Sequence, residues 1–159
     1  MIFVTVGMLP GGFERLVKKM DEVAGSTDEE IIMQIGGTKY IPKNAKYFGF
    51  ATEQEMKELY RKARIVVGHG GVGTILDVLR EGKRLVVVPR LKKYGEHIDD
   101  HQLLLIQELE RGGRVTAVYD VEKLGEVLSR LDASRAVPTR DDRLVNALKG
   151  YIAQFDRSR

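Results

Sequence analysis

Short β-branched runs alternate with amphipathic helical stretches along the whole chain. Ile2–Val6, Glu30–Ile35, Tyr47–Phe50, Ile65–Val67, Leu85–Val88 and Arg114–Tyr119 read as strands. The runs at 65–67 and 85–88 contain no polar residue, as expected of strands covered on both faces. Between the strands, apolar positions return at helical spacing: Phe13, Leu16, Val17 and Met20, then Met56, Leu59 and Tyr60, then Val72, Ile75, Leu76 and Leu79. Further helices are predicted from Asp99–Gln102 through Arg111, from Asp120 to Leu131, and from Arg140 to Phe155 with Leu144, Leu148, Tyr151, Ile152 and Phe155 on one side. Thr52-x-x-Glu55 and Thr139-x-x-Asp142 resemble capping boxes, and Gly82 and Gly112-Gly113 suit helix ends. The segment Tyr40–Lys46 reads as loop. Strict alternation with short linkers predicts one domain over residues 1–159, a parallel, doubly wound α/β sheet with helices on both faces. In such sheets ligands bind beyond the carboxyl ends of the strands, so the turns at Gly7, Gly36, Gly68 and Pro89 should open on one functional edge.

Composition narrows the partners. With 26 basic and 23 acidic side chains the net charge is +3, too little to indicate a nucleic-acid binder but compatible with an anionic ligand. There is no cysteine, which removes disulfide and thiolate chemistry. No apolar run approaches the roughly 18 residues that span a bilayer, and Met1–Val6 lacks the basic start of a signal peptide. The expectation is a cytoplasmic chain without a membrane span of its own.

The candidate chemistry lies where Ile65–Val67 runs into Gly68, His69, Gly70, Gly71, Val72, Gly73 and Thr74 and on into a helix. Unpaired N–H groups at a helix start, reinforced by the helix dipole, attract anions, and glycines let a phosphate come close. The turn lacks the lysine of a nucleotide P-loop, and it does not match a dinucleotide G-x-G-x-x-G. Four glycines with a histidine and a threonine at one helix start favour phosphate binding over a purely structural turn.

Four segments together resemble one family: Val4-Thr-Val-Gly7, Gln34-Ile-Gly36, Gly68-His-Gly-Gly-Val-Gly-Thr-Ile-Leu-Asp77, and Val87-Val-Pro-Arg90 followed by Gly95-Glu-His-Ile-Asp-Asp-His-Gln102. They are similar to the catalytic subunits of two-component UDP-N-acetylglucosamine transferases, of the dolichol-pathway and bacterial exopolysaccharide types. The match runs from about residue 2 to 118. More distantly the chain resembles the C-terminal, donor-binding half of a GT-B glycosyltransferase of family 28.

The resemblance implies a Rossmann-like fold and a site that can be set onto this sequence. Gly7 and the turn Gly70, Gly71, Val72, Gly73 and Thr74 should hold the diphosphate, with His69 at its edge as a leaving-group stabiliser. Asp77, one helical turn after Thr74, should bind the ribose hydroxyls. Phe50 and Ala51 should bracket the uracil, and His101 and Gln102 should lie near the sugar. Met8 stands where relatives carry Thr, which puts a hydroxyl contact there in doubt. For Asp99 and Gln102 a helix-capping role competes with a sugar contact, and His97 reads as solvent-facing. The implied reaction moves a hexosamine, GlcNAc in these relatives, from a UDP-sugar to a lipid-linked saccharide. No Asp-x-Asp metal motif is present and no cofactor is implied. A membrane-anchored partner subunit should supply the acceptor half and the general base, with the 139–156 helix as its docking element. The alternative is a non-catalytic nucleotide-sugar-binding regulatory module.

Overall fold

The computed structural model describes residues 1–133 and 142–156, apart from the side chains of residues 132, 133, 151, 152 and 154–156. Strands β1 (Ile2–Thr5), β2 (Ile31–Gln34), β3 (Lys46–Phe48), β4 (Ile65–Gly68), β5 (Arg84–Val87) and β6 (Thr116–Ala117) form one sheet in the order β3-β2-β1-β4-β5-β6. Every pairing is parallel. Helices α1 (Glu14–Ala24), α2 (Glu53–Lys62), α3 (Val72–Arg80), α4 (His101–Arg111), α5 (Leu124–Ala133) and α6 (Asp142–Asp156) cover it. The expected α/β architecture is present.

Side-chain alternation along the strands builds two cores. Ile2, Val4, Val6, Met33, Ile65 and Val67 pack under α1 and α5 on one face. Phe3, Val66, Leu85 and Val87 pack under α2, α3, α4 and α6 on the other. Register then sets the functional edge: Thr5 lies opposite both Gln34 and Gly68, and Gly68 lies opposite Val87. Four strands therefore end level, and the turns after them open side by side as expected.

Local chemistry fixes several boundaries. Thr52 and Glu55 make the full capping box that starts α2. Helix α1 begins one residue later than the pattern predicts, because Phe13 is held outside it by its amide donating to Thr38 Oγ1 at 2.9 Å. The buried Asp21 carboxylate accepts from the Tyr40 hydroxyl and the Lys43 and Asn44 amides, so the loop after Tyr40 is pinned to α1, while Lys46, expected in that loop, is the first residue of β3. Four strands, β1, β2, β3 and β6, are shorter than predicted. β3 stops at Phe48, and β6 keeps only Thr116–Ala117 because the turn at Gly112-Gly113 and the capping residue Asp120 take up its ends. Asp120 caps a 3-10 turn, Val121–Lys123, that leads into α5.

Helix α6 packs on α3, with Val145 and Leu148 buried and Leu144 against them. Thr139 and the side chains of Tyr151, Ile152 and Phe155 lie outside the described residues. Among the described residues no helix is long and apolar enough to cross a membrane.

Candidate functional site

β1 and β4 are neighbours at the centre of the sheet, yet the chain leaves them for opposite faces, through α1 from β1 and through α3 from β4. The crevice this opens is the switch point of a doubly wound sheet. Gln34, which the sequence reading gave no role, organises its floor. Its buried side-chain oxygen accepts from Thr5 Oγ1 at 2.7 Å and from the Val6 and Gly7 amides, while its nitrogen donates to the Gly7 and Gly49 carbonyls. One amide thus ties the exits of β1, β2 and β3 together.

His69 joins the two central turns. A methyl group on Gly7 would lie 2.5 Å from its Cε1 and 2.6 Å from its Nε2, and one on Gly71 would lie 2.3 Å from its Nε2. The imidazole fills the space that two absent side chains leave. Gly7 also has φ +75°, so both conformation and contact require glycine there. Burial lowers the His69 pKa to about 4, the charge of Arg90 adding to that. The ring is therefore neutral at pH 7 and can assist a leaving group only as a hydrogen-bond donor. Its Nδ1 is buried without a partner.

Helix α3 starts beside the ring. Gly71 is its N-cap and offers no side-chain cap, so the first amides stay free for a ligand. Gly70, at φ +87°, lets Ile106 of α4 close on the turn, where a methyl would sit 2.8 Å from its Cδ1. Gly73 differs: a methyl there meets nothing within 4 Å. Packing gives no reason for glycine at this exposed helical position, where it costs stability.

One turn further, Ile75, Val78 and Leu79 enter the core while Asp77 stays half-buried on the outer face, 3.7 Å from Arg80. Burial raises its pKa, offset in part by Lys57 and Arg80. Thr74 lies beside the buried Tyr60, whose hydroxyl is pushed up to about 12 mainly by burial. Phe50, 56% exposed, and Ala51 line a groove of about 370 Å³ with Phe48, Glu55, Glu58, Leu59 and Lys62. Met8 is 76% exposed and reaches out of the turn.

The loop after β5 closes the other side. Arg15 on α1 grips Glu96 through two hydrogen bonds of 2.9 and 2.8 Å and also donates to the Pro89 carbonyl. The N-cap of α4 is Asp100, which makes no side-chain cap, so the expected Asp99-to-Gln102 box does not form; Asp99 instead accepts from the His101 amide at 3.0 Å. The His101 side chain is 81% exposed and 3.5 Å from Asp99, while Gln102 is half-buried. His97 is not solvent-facing. It is half-buried, its Nδ1 lies 3.0 Å from the Asp99 carbonyl, and it lines a cavity of about 680 Å³ with Phe13, Arg15, Arg90, Tyr94 and Ile98. None of the residues assigned to the nucleotide lines that cavity. Among the described residues no cluster of His, Cys, Asp or Glu could hold a metal ion.

The glycosyltransferase family 28 C-terminal domain matches residues 1–152. The chain belongs to that family. Within family 28, it is 30% identical over 128 residues to the UDP-N-acetylglucosamine transferase subunit ALG13 of Eremothecium gossypii, covering 79% of this chain and 61% of that protein. It is 29% identical over 125 residues to human ALG13, covering 72% of this chain and 10% of that protein. The chain thus spans less than two thirds of the length of each of these two relatives, 61% of the first and 10% of the second. A solution structure of ALG13 superposes with a TM-score of 0.63 at 19% identity, covering 92% of this chain and 93% of that one. CalG4, the calicheamicin glycosyltransferase, gives 0.62 at 18% identity, with 94% of this chain on 38% of the longer one. The family 28 fold is thus also one part of a larger GT-B enzyme.

Within this family 28 domain the sequence pattern led to the turn and the resemblance to Asp77 and the Phe50–Ala51 segment, but neither led to Gln34 or the Arg15–Glu96 pair. Their roles depend on partners 15 to 81 residues away. Arg90, the last residue of the Val87-Val-Pro-Arg90 segment, is buried.

Proposed function

We propose that this chain is the donor-binding catalytic subunit of a UDP-hexosamine transferase, with GlcNAc as the sugar transferred to a lipid-linked saccharide. The observation that carries this reading is the pair of glycine turns locked around His69 beside the uncapped start of α3. Gly7, Gly70, Gly71, Val72, Gly73 and Thr74 then receive the diphosphate on backbone amides, and Asp77 accepts from the ribose hydroxyls. The Phe50–Ala51 groove takes the uracil, and Gln102, with His101 at the rim, meets the sugar.

In the reaction an acceptor hydroxyl attacks the anomeric carbon as the bond to the diphosphate oxygen breaks. The leaving UDP gains negative charge, which the free amides and a neutral His69 N–H stabilise in this reading. The proton of the attacking hydroxyl goes to a base on a membrane-anchored partner subunit, which also holds the acceptor. The supports are the likeness to ALG13, named as a transferase subunit, and the match to only 38% of a full glycosyltransferase.

Thermal unfolding with UDP, UDP-GlcNAc, ADP and NAD tests the reading. At a hundredfold excess over Kd, binding adds about 2.7 kcal/mol. UDP and UDP-GlcNAc should raise Tm and the other two should not. Equal shifts with all four would overturn it.

A further inference from the structure

Arg90 is 5% exposed, and no carboxylate holds it. Its two terminal nitrogens donate to backbone carbonyls, Nη1 to Gly12 and Nη2 to Val6, the latter at 2.7 Å. These carbonyls are the two ends of the Gly7–Gly12 turn. The Phe13 ring lies 4.7 Å from the guanidinium carbon, and Nε is buried without a partner. Glu96, whose charge acts on Arg90, is already engaged by both donors of Arg15.

Such an arrangement is expensive. A buried guanidinium served by neutral carbonyls loses its hydration without an opposite charge in return, and an apolar side chain of similar volume would commonly be no less stable there. Fold stability does not account for it. Its position does: the turn it spans carries Gly7, which sits against His69, and the charge of Arg90 acts on that ring.

We propose that Arg90 is a positioning residue of the nucleotide site. It holds both ends of the Gly7–Gly12 turn in place and supplies a fixed positive charge behind it that draws a diphosphate in preference to an uncharged nucleoside. The proposal rests on the UDP reading above. Arginine suits the task because it stays protonated when buried and its planar fork reaches two carbonyls at once. Lysine would keep the charge but could not brace both ends in the same way.

The test compares UDP with uridine on the full chain, by calorimetry for UDP and ligand-detected NMR for uridine. In Arg90→Gln the preference for UDP over uridine should fall about tenfold, since a charge at short range acts on the diphosphate and not on the nucleoside. Arg90→Lys should keep that preference within about twofold of the wild type even if both ligands bind more weakly, because the charge remains. Arg90→Met, which buries no unpaired amide, replaces the Gln variant if that one does not fold. Equal losses for UDP and uridine in the uncharged variants would make Arg90 a structural brace only and overturn the proposal. Failure of the wild type to bind UDP at all would instead remove the nucleotide reading, and this proposal with it.

Discussion

Gly73→Ala separates stability from binding at the centre of the site. Gly73 is the second residue of α3, exposed, with helical backbone that any residue can adopt. An added methyl meets no protein atom within 4 Å. Replacing a helical glycine with alanine stabilises by roughly 0.5–1 kcal/mol. For a domain of this size that raises Tm by about 1–4 °C. The same methyl would stand over the first free amides of the helix, where a phosphate oxygen has to sit. Losing one hydrogen bond to a charged oxygen costs about 1.5–3 kcal/mol, or tenfold or more in affinity. The variant should melt higher without ligand and bind UDP at least about tenfold more weakly by calorimetry. Its neighbours cannot serve, because a methyl on Gly7 or Gly71 drives into His69 and would disturb fold and site together. A higher Tm with unchanged UDP affinity would refute the phosphate cradle. A lower Tm would refute the account of Gly73 as a glycine kept for a ligand.

Asp77→Asn should leave Tm within about 1 kcal/mol of stability and weaken UDP about tenfold, since an amide replaces a charged acceptor for two hydroxyls; deoxyuridine diphosphate, which lacks one hydroxyl, should lose less on this substitution than UDP. His69 makes stability depend on pH. Its folded pKa, about 4, lies below the ordinary 6.5, so the unfolded chain binds the extra proton first. The contribution is complete above pH 6.5 and is lost as pH falls towards 4, by up to about 3 kcal/mol. Denaturant unfolding of wild type and His69→Gln between pH 7 and 4.5 measures it, and parallel curves would refute the buried neutral imidazole.

The fold was readable because its signals are local. β-branched runs at 65–67 and 85–88, helical stripes and glycine punctuation each act over a few residues, and they led to the sheet, its edge and the central turn. The site was readable only in part. Asp77 is singled out only by the family resemblance, and the need for glycine at position 71 comes from a ring two residues back folded against it, which no spacing rule records. Gln34 and Arg90 stand in segments that carry the resemblance, but nothing in the local pattern names their partners. Their partners, Gly49 and Val6, are brought to them by strand pairing and by the closing of two loops.

The outer strands constrain how this protein can assemble. β3 offers three residues and β6 two, and Lys46 on β3 is paired with Glu30. Edges this short give an incoming strand too few backbone hydrogen bonds to dock on, and charge on an edge discourages stacking into ribbons. Neither flank of the sheet therefore invites self-association or amyloid-like growth, even though its interior is a nearly continuous β-branched slab. Among the described residues, contact with another polypeptide is left to helix faces and loops, since the sheet edges offer so little backbone.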